Sequence, residues 1–391
     1  MISVEEALAQ LFALVRTQPT ELCPIAQAAG RVLAEPIKAK LTQPPFASSS
    51  MDGYALNSVE ADLHAQFVVV GESAAGHGFI GKLGAGQAVR IFTGAPVPEG
   101  ADMVAIQEEV ERRGKLITLL TEYKGKSNIR PAGQDFMTGD EMSAPRQLTA
   151  SDIALAASMN HAELPVYKRP VVALVSTGDE LVQPGETPAQ DQIIASNTYG
   201  LKALLDANGA EARILPIARD TRASLETVFA LCEGADLIVT IGGASVGDHD
   251  IVADVAAGLG LEQSFYKVAM RPGKPLMAGR MGRAVMIGLP GNPVSAMVCG
   301  HVFLLPFLRA MTGLKAAHSQ RFTATLSKPL EANGPREHYM RARVEYGRIA
   351  AESRQDSALL SVLAKANALL IRPPHDSARG VDETVEYILL S

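Results

Sequence analysis

Residues 237–250 read Leu-Ile-Val-Thr-Ile-Gly-Gly-Ala-Ser-Val-Gly-Asp-His-Asp, and no other stretch restricts the fold as tightly. Five apolar or β-branched residues stop at Gly242 and Gly243. Ser245, Gly247, Asp248 and Asp250 follow, and a helical pattern begins at Ile251. The order predicts a buried strand, a loop whose backbone can approach a ligand, and carboxylates at a helix start. Loops at the carboxyl ends of parallel strands are the usual ligand sites of α/β sheets. Glycines there suit phosphate or another oxyanion, and aspartates suit Mg²⁺. A tight turn with Asp248 or Asp250 as helix cap explains the same residues, and on this loop alone the two readings stand level.

Neighbouring strand ends tip the balance. Ser176-Thr177-Gly178-Asp179-Glu180 closes a strand at 171–176, and Asp220 sits where a strand at 212–218 meets its helix. Met270-Arg271-Pro272-Gly273-Lys274-Pro275 follows a strand at 265–269, and Gly288-Leu289-Pro290-Gly291-Asn292-Pro293 follows one at 284–288. In a parallel sheet these ends meet on one edge, where acidic, basic and glycine-rich loops are more than turn chemistry. Arg271 and Lys274 flank a rigid Pro-Gly turn and suit an anion clamp. The N–H groups after Pro293, with Ser295, can receive an oxyanion.

Around this region the strand–helix alternation over 169–315 predicts a doubly wound, mostly parallel α/β domain. Residues 1–40 and 140–168 are expected to form a helical linking region, with helices at 3–16 and 149–159. Ser3-x-x-Glu6 is a capping box and does not read as a signal peptide. Residues 41–139, rich in Gly and Pro with short alternating strands, predict an inserted all-β domain, and 320–391 a small C-terminal β domain. The expected class is therefore a multidomain α/β chain.

Composition excludes several functions. A net charge of −6 gives no reason to expect nucleic acid or an anionic membrane as partner. Cys23, Cys232 and Cys299 are scattered, and the histidines lack zinc spacing, which suits a reducing cytoplasm. The apolar run 296–308 is interrupted by His301 and Pro306 and is too short to span a bilayer. Gly76-His77-Gly78-Phe79-Ile80-Gly81 matches a dinucleotide fingerprint in letters only, because more glycines follow instead of a helix. No phosphate-binding lysine loop is present. Taken singly, Ser50-Met51-Asp52-Gly53, Arg90-Ile91-Phe92-Thr93-Gly94 and Gly133-Gln134-Asp135 read as turns, and Arg341 and Arg343 as a solvated strand face.

As an ordered set these motifs resemble the MoeA family of molybdopterin molybdenumtransferases, also found within gephyrin-like proteins. The match runs from Pro45-Phe46 and Ser50-Met51-Asp52-Gly53-Tyr54-Ala55 through Arg90–Pro96, Gly100-Ala101-Asp102, Ser176–Leu181 and Ser196-Asn197. It continues through Gly242–Asp250, Arg271–Pro275 and Gly288–Pro293. Departures are Ala47-Ser48 for an acidic-Asn pair, Ala244 for Val and Asn160 for Gly.

The resemblance implies molybdenum insertion from molybdate into adenylylated molybdopterin. Mg²⁺-dependent hydrolysis of the phosphoanhydride would release molybdenum cofactor and AMP. It implies Asp220, Asp248 and Asp250 for Mg²⁺ and the anhydride, with Glu180 nearby. Gly242, Gly243, Ser245 and Gly247 would contact the substrate, and Arg271 and Lys274 would neutralise its charge. Ser295, Arg341 and Ser361 resemble a molybdate-holding group. Asp52, Thr93 and Asp135 would come from the partner chain of an elongated homodimer that shares its site. An adenylyltransferase and molybdoenzyme-loading proteins are implied as further partners. A non-catalytic pterin carrier, a tungstate-handling variant and a generic nucleotide-dependent phosphotransferase are the alternatives.

Overall fold

The computed structural model of the chain describes all residues except 124, 244–250 and 391. Its centre is a six-stranded sheet. The strands are β1 (Val171–Ser176), β2 (Glu211–Ile214), β3 (Leu237–Ile241), β4 (Leu261–Tyr266), β5 (Met277–Met281) and β6 (Ala284–Leu289), ordered β2-β1-β3-β6-β5-β4. The first four in that order are parallel, while β5 runs antiparallel to both β6 and β4. β3 is buried at every residue, as a central strand covered on both faces must be.

Helices α1 (Asn197–Ala207), α2 (Arg222–Ala230), α3 (Ile251–Gly258) and α4 (Pro293–Cys299) cover the faces. Leu201, Leu204 and Leu205 of α1 join α4 residues in one core, and Leu225, Val228 and Phe229 of α2 join α3 residues in the other. After α4 the chain makes one π turn at Gly300–Leu304 before helix resumes at Leu305–Met311. Pro306, which lacks an N–H and crowds the preceding turn, accounts for that local widening. The helical stretch Pro293–Met311 is longer than the apolar run 296–308 and is long and apolar enough to cross a bilayer, but its apolar window is 83% buried in this core.

Several elements differ from expectation. Met277–Met281 is a strand, so the loop at 267–276 links two antiparallel strands. Gly53–Leu56 is an inner strand of the inserted domain's six-stranded sheet, between Gln87–Ile91 and Met103–Ile106. An added Cβ on Gly53 would lie 1.9 Å from Ala105 O, so only glycine permits that pairing. The linking region is not purely helical. Thr20–Pro24, Val32–Leu33, Arg146–Gln147 and Glu163–Tyr167 form a four-stranded sheet that ties the segments on either side of the insertion.

The N-terminal helix, Val4–Ala13, carries the capping box, with Ser3 and Glu6 exchanging hydrogen bonds of 2.7 and 3.0 Å. It leaves the linking region, because Val4, Ala7, Leu8 and Leu11 pack into the central domain's core. Thr149 and Asp152 form a second capping box, and Asn160 closes that helix at φ 69°. A six-stranded C-terminal sheet includes Phe322–Leu326, Glu337–Glu345, Arg348–Ala351, Ala368–Arg372 and Thr384–Leu389. Met270–Arg271 of the central domain is its edge strand, paired with Glu337 and His338. This graft fixes the two domains to each other beside the strand ends of the central sheet.

Candidate active site

The carboxyl edge of the central sheet is laced by main-chain hydrogen bonds. Thr177 N–H donates to Ile241 O at 3.0 Å, Gly178 N–H to Ala218 O at 3.1 Å and Gly242 N–H to Leu289 O at 3.1 Å. These bonds fan the loops out around a cleft of about 900 Å³. Glu180, Asp220, Gly242 and Gly243 line it, with Asn197, Pro275, Pro290–Pro293 and Ala358. Strand-end loops from four strands thus converge as the sequence predicts.

The glycine pair has a reason that sequence did not supply. Gly242 and Gly243 hold φ of 95° and 70°, a region L-residues avoid. A Cβ on Gly242 would lie 2.7 Å from Thr177 O, and one on Gly243 2.2 Å from a Val252 methyl. Both glycines are therefore demanded by packing within the protein.

On the acidic wall, Asp220 is pushed above the usual carboxylate range, first by burial and then by Asp179 and Glu180. Asp220 N–H donates to Asp179 Oδ1 at 3.2 Å, which draws the two loops together. Such close oxygen donors suit a hard divalent cation. Among the described residues, however, no three His, Cys, Asp or Glu side chains stand ready as a metal centre. Ser245, Gly247, Asp248 and Asp250 lie outside the described residues.

The C-terminal domain brings Arg341, which is fully buried and does not itself line the cavity. Its Nη2 donates to Asp356 O at 3.0 Å, while Nε and Nη1 are buried without a partner. A buried guanidinium with idle donors is costly unless an anion completes it. The Asp356–Ala358 loop links it to the cleft, since Ala358 lines the cavity and Ser357 O accepts from Val294 N–H at 3.0 Å. That bond occupies the Val294 N–H, one of the N–H groups after Pro293 that the sequence offered to an oxyanion. Ser295 is buried on α4, Lys274 is half-buried next to Pro275, and Arg271 and Ser361 are exposed. None of these four lines the cavity wall.

His338, which sequence reasoning missed, sits between Arg271 and Arg372 in the cross-strand register. It is buried with Nε2 unpartnered. Burial first, then Arg271, Arg341, Arg372 and Arg336, push its imidazole down to about 4, so it is neutral at pH 7. No motif marked it; only the pairing of Arg271 onto the C-terminal sheet reveals it.

Asp52, Thr93 and Asp135 do not reach this cleft. Asp52 Oδ1 accepts both the N–H and the hydroxyl of Thr93, each at 2.8 Å. Asp135 lines a separate cleft of about 500 Å³ in the inserted domain, with Phe46, Gly94 and Arg130.

Family comparisons agree with this architecture. The MoeA N-terminal region (domain I and II) matches residues 2–160, a probable molybdopterin binding domain matches 173–310, and the MoeA C-terminal region (domain IV) matches 323–390. A molybdopterin molybdenumtransferase of Nostoc sp. is 35% identical, covering 95% of this chain and 90% of its own. One from Haemophilus influenzae is 34% identical, covering 94% and 93%. The crystal structure of a molybdopterin biosynthesis moeA protein from Pyrococcus horikoshii superposes with a TM-score of 0.83 at 27% identity, covering 100% of this chain and 99% of that one. Fold, strand-end cleft and full-length similarity together establish that the chain belongs to the MoeA family.

Proposed function

We propose that this chain inserts molybdenum from molybdate into adenylylated molybdopterin and hydrolyses the adenylyl phosphoanhydride in the same cycle. The broader assignment, a molybdopterin molybdenumtransferase of molybdenum cofactor biosynthesis, follows from the family and from relatives similar over nearly their whole length. The observation that carries the finer reading is the charge layout of the cleft region. Carboxylates Glu180 and Asp220 lie on one wall, and a buried, under-bonded Arg341 lies behind the Asp356–Ala358 loop.

In this reading Arg341, with Ser295, Ser361 and Lys274, holds the oxyanion, and Arg271 adds positive charge where two anionic substrates must meet. The substrate supplies its own dithiolene sulfurs, so the protein needs no cysteine ligands, and its three cysteines are buried and free. Glu180 and Asp220, with Asp248 and Asp250, would hold Mg²⁺. When bound, the ion supplies charge neutralisation at the phosphoanhydride. Hydrolysis then breaks the P–O–P bridge, with water ending as the new phosphate oxygen and AMP as the leaving group.

Asp52, Thr93 and Asp135 would enter from a second copy of the chain in a homodimer. Their distance from the cleft in one chain supports this, as does the separate cleft at Asp135. A cytoplasmic setting, an adenylyltransferase upstream and molybdoenzyme-loading proteins downstream complete the proposal.

The test measures AMP release from adenylylated molybdopterin with molybdate and Mg²⁺, and with tungstate in a parallel arm. Pterin bound stoichiometrically without AMP release would overturn catalysis in favour of a carrier. Faster turnover with tungstate would reassign the metal. Mixing Asp135→Ala and Asp220→Ala chains should restore activity if the site is shared, because about half of the dimers formed are then mixed and each mixed dimer carries one intact site.

A further inference from the structure

Arg219 stands at the end of the second sheet strand's loop, between buried Ala218 and the cleft carboxylate Asp220. Its Nη1 faces three main-chain carbonyls of the neighbouring turn, Asp179 O at 2.9 Å, Leu181 O at 3.2 Å and Gly178 O at 3.4 Å. One guanidinium nitrogen therefore ties the carbonyls of that turn together, while the residue as a whole stays exposed. Its own backbone is fixed separately, since Arg219 N–H donates to Ser224 Oγ at 2.9 Å on the first turn of α2. Gly178 N–H to Ala218 O at 3.1 Å and Asp220 N–H to Asp179 Oδ1 at 3.2 Å stitch the same two segments. Residues 177–181 and 218–220 form one unit, and that unit sets Glu180 and Asp220 on the same cleft wall.

These hydrogen bonds end on carbonyls, not carboxylates. Asp179, Glu180 and Asp220 meanwhile place three carboxylates on these two short segments. The three like charges tend to spread the turn, and the donors of Arg219 oppose that spreading. What the side chain contributes is geometry, so donor number matters more than charge.

We infer that Arg219 is the positioning residue of the acidic wall: its guanidinium holds the Gly178–Leu181 turn so that Glu180 and Asp220 bind one divalent cation together. This rests on the Mg²⁺ reading above. The apo protein is titrated with Mn²⁺ by electron paramagnetic resonance, with Mg²⁺ as competitor, for wild type, Arg219→Ala, Arg219→Gln and Asp220→Asn. Backbone hydrogen exchange over 178–181 and thermal melting are followed on the same samples.

Arg219→Ala should weaken cation binding by roughly 10–100-fold, as loss of an outer partner of a metal ligand does. It should also speed exchange at 178–181 while the melting temperature stays close to wild type. Arg219→Gln, which keeps two N–H donors without charge, should recover most of both effects. Unchanged Mn²⁺ binding in Arg219→Ala overturns the inference, and so does a Gln variant as poor as Ala. If Asp220→Asn binds Mn²⁺ as well as wild type, the metal reading fails instead, and the exchange data still report whether Arg219 holds the turn.

Discussion

Asp52 Oδ1 accepts two hydrogen bonds from Thr93, from the backbone N–H and from the hydroxyl, both at 2.8 Å. The backbone bond first and the hydroxyl second hold its carboxyl below the ordinary range, with Arg90 adding a small pull. A general base works best with a pKa near the operating pH, and Asp52 is shifted the other way. Its chemistry is that of a clamp on the Thr93 loop. Asp52→Asn keeps the accepting Oδ1 and should keep activity within about threefold, whereas Asp52→Ala should lose roughly 10²-fold. AMP-release rates decide this, and an Asn variant as inactive as Ala would assign Asp52 to proton transfer instead.

Arg341 makes the opposite kind of prediction, because its donors are idle rather than engaged. Without an anion, a fully buried guanidinium with two bare nitrogens costs stability, and an apolar replacement of similar length removes that cost. Arg341→Met should therefore melt at or above the wild-type temperature in molybdate-free buffer. Molybdate should raise the melting temperature of wild type, and the same variant should lose that rise. Charge-assisted hydrogen bonds contribute about 1.5–3 kcal/mol each, so molybdate binding should weaken by roughly 10–100-fold or more. Arg341→Lys should not rescue it, since an ammonium lacks the planar fork. A molybdate-induced shift that survives in Arg341→Met would place the oxyanion elsewhere.

Asp220 supplies a pH dependence with a definite sign. Burial and the charges on Asp179 and Glu180 raise its folded-state pKa, so the native protein binds a proton more readily there than the unfolded chain. Native stability from this group falls as pH rises through its raised pKa, while cation binding improves because only the carboxylate is a ligand. Asp179→Asn removes one repelling charge yet keeps an acceptor for Asp220 N–H. Its Mn²⁺ affinity should therefore hold to lower pH than that of wild type. Titrations from neutral to acid pH that superimpose for the two proteins would exclude like-charge coupling at this wall.

Much of the fold was readable where the signal is local. Ser3 with Glu6, Thr149 with Asp152, and Asn160 at φ 69° sit as their spacing predicts, because caps act within a turn of chain. Leu237–Ile241 was readable because a strand buried on both faces is apolar throughout. Gly53–Leu56 was read as a turn, since Asp-Gly is a strong local turn signal, and only the approach of Ala105 shows why glycine is there. Val32–Leu33 and Arg146–Gln147 are too short for any periodicity and are defined by partners far along the chain. In the site, residue identity was legible through motif order, but roles set by packing were not. Gly242 and Gly243 serve Thr177 and Val252, and His338 emerges only from cross-strand register.

The last prediction concerns His301, on the π turn of the core helix, 6% exposed. Burial alone pushes its imidazole down to about 4, so it stays neutral in the native protein while the unfolded chain's histidine titrates near 6.5. Between those values the unfolded state binds more protons, and stability must fall as pH drops from about 6.5 toward 4. The full difference corresponds to about 3 kcal/mol as an upper bound for this one group. His301→Leu removes the titration and puts an apolar side chain in a turn whose other residues, Gly300 and Val302–Leu304, are all buried, although the π turn must accommodate a slightly different shape. Melting temperatures at pH 7 and pH 4.5 should therefore differ less in His301→Leu than in wild type, whatever the variant's absolute stability. An equal or larger gap in the variant would mean that other groups carry the acid sensitivity.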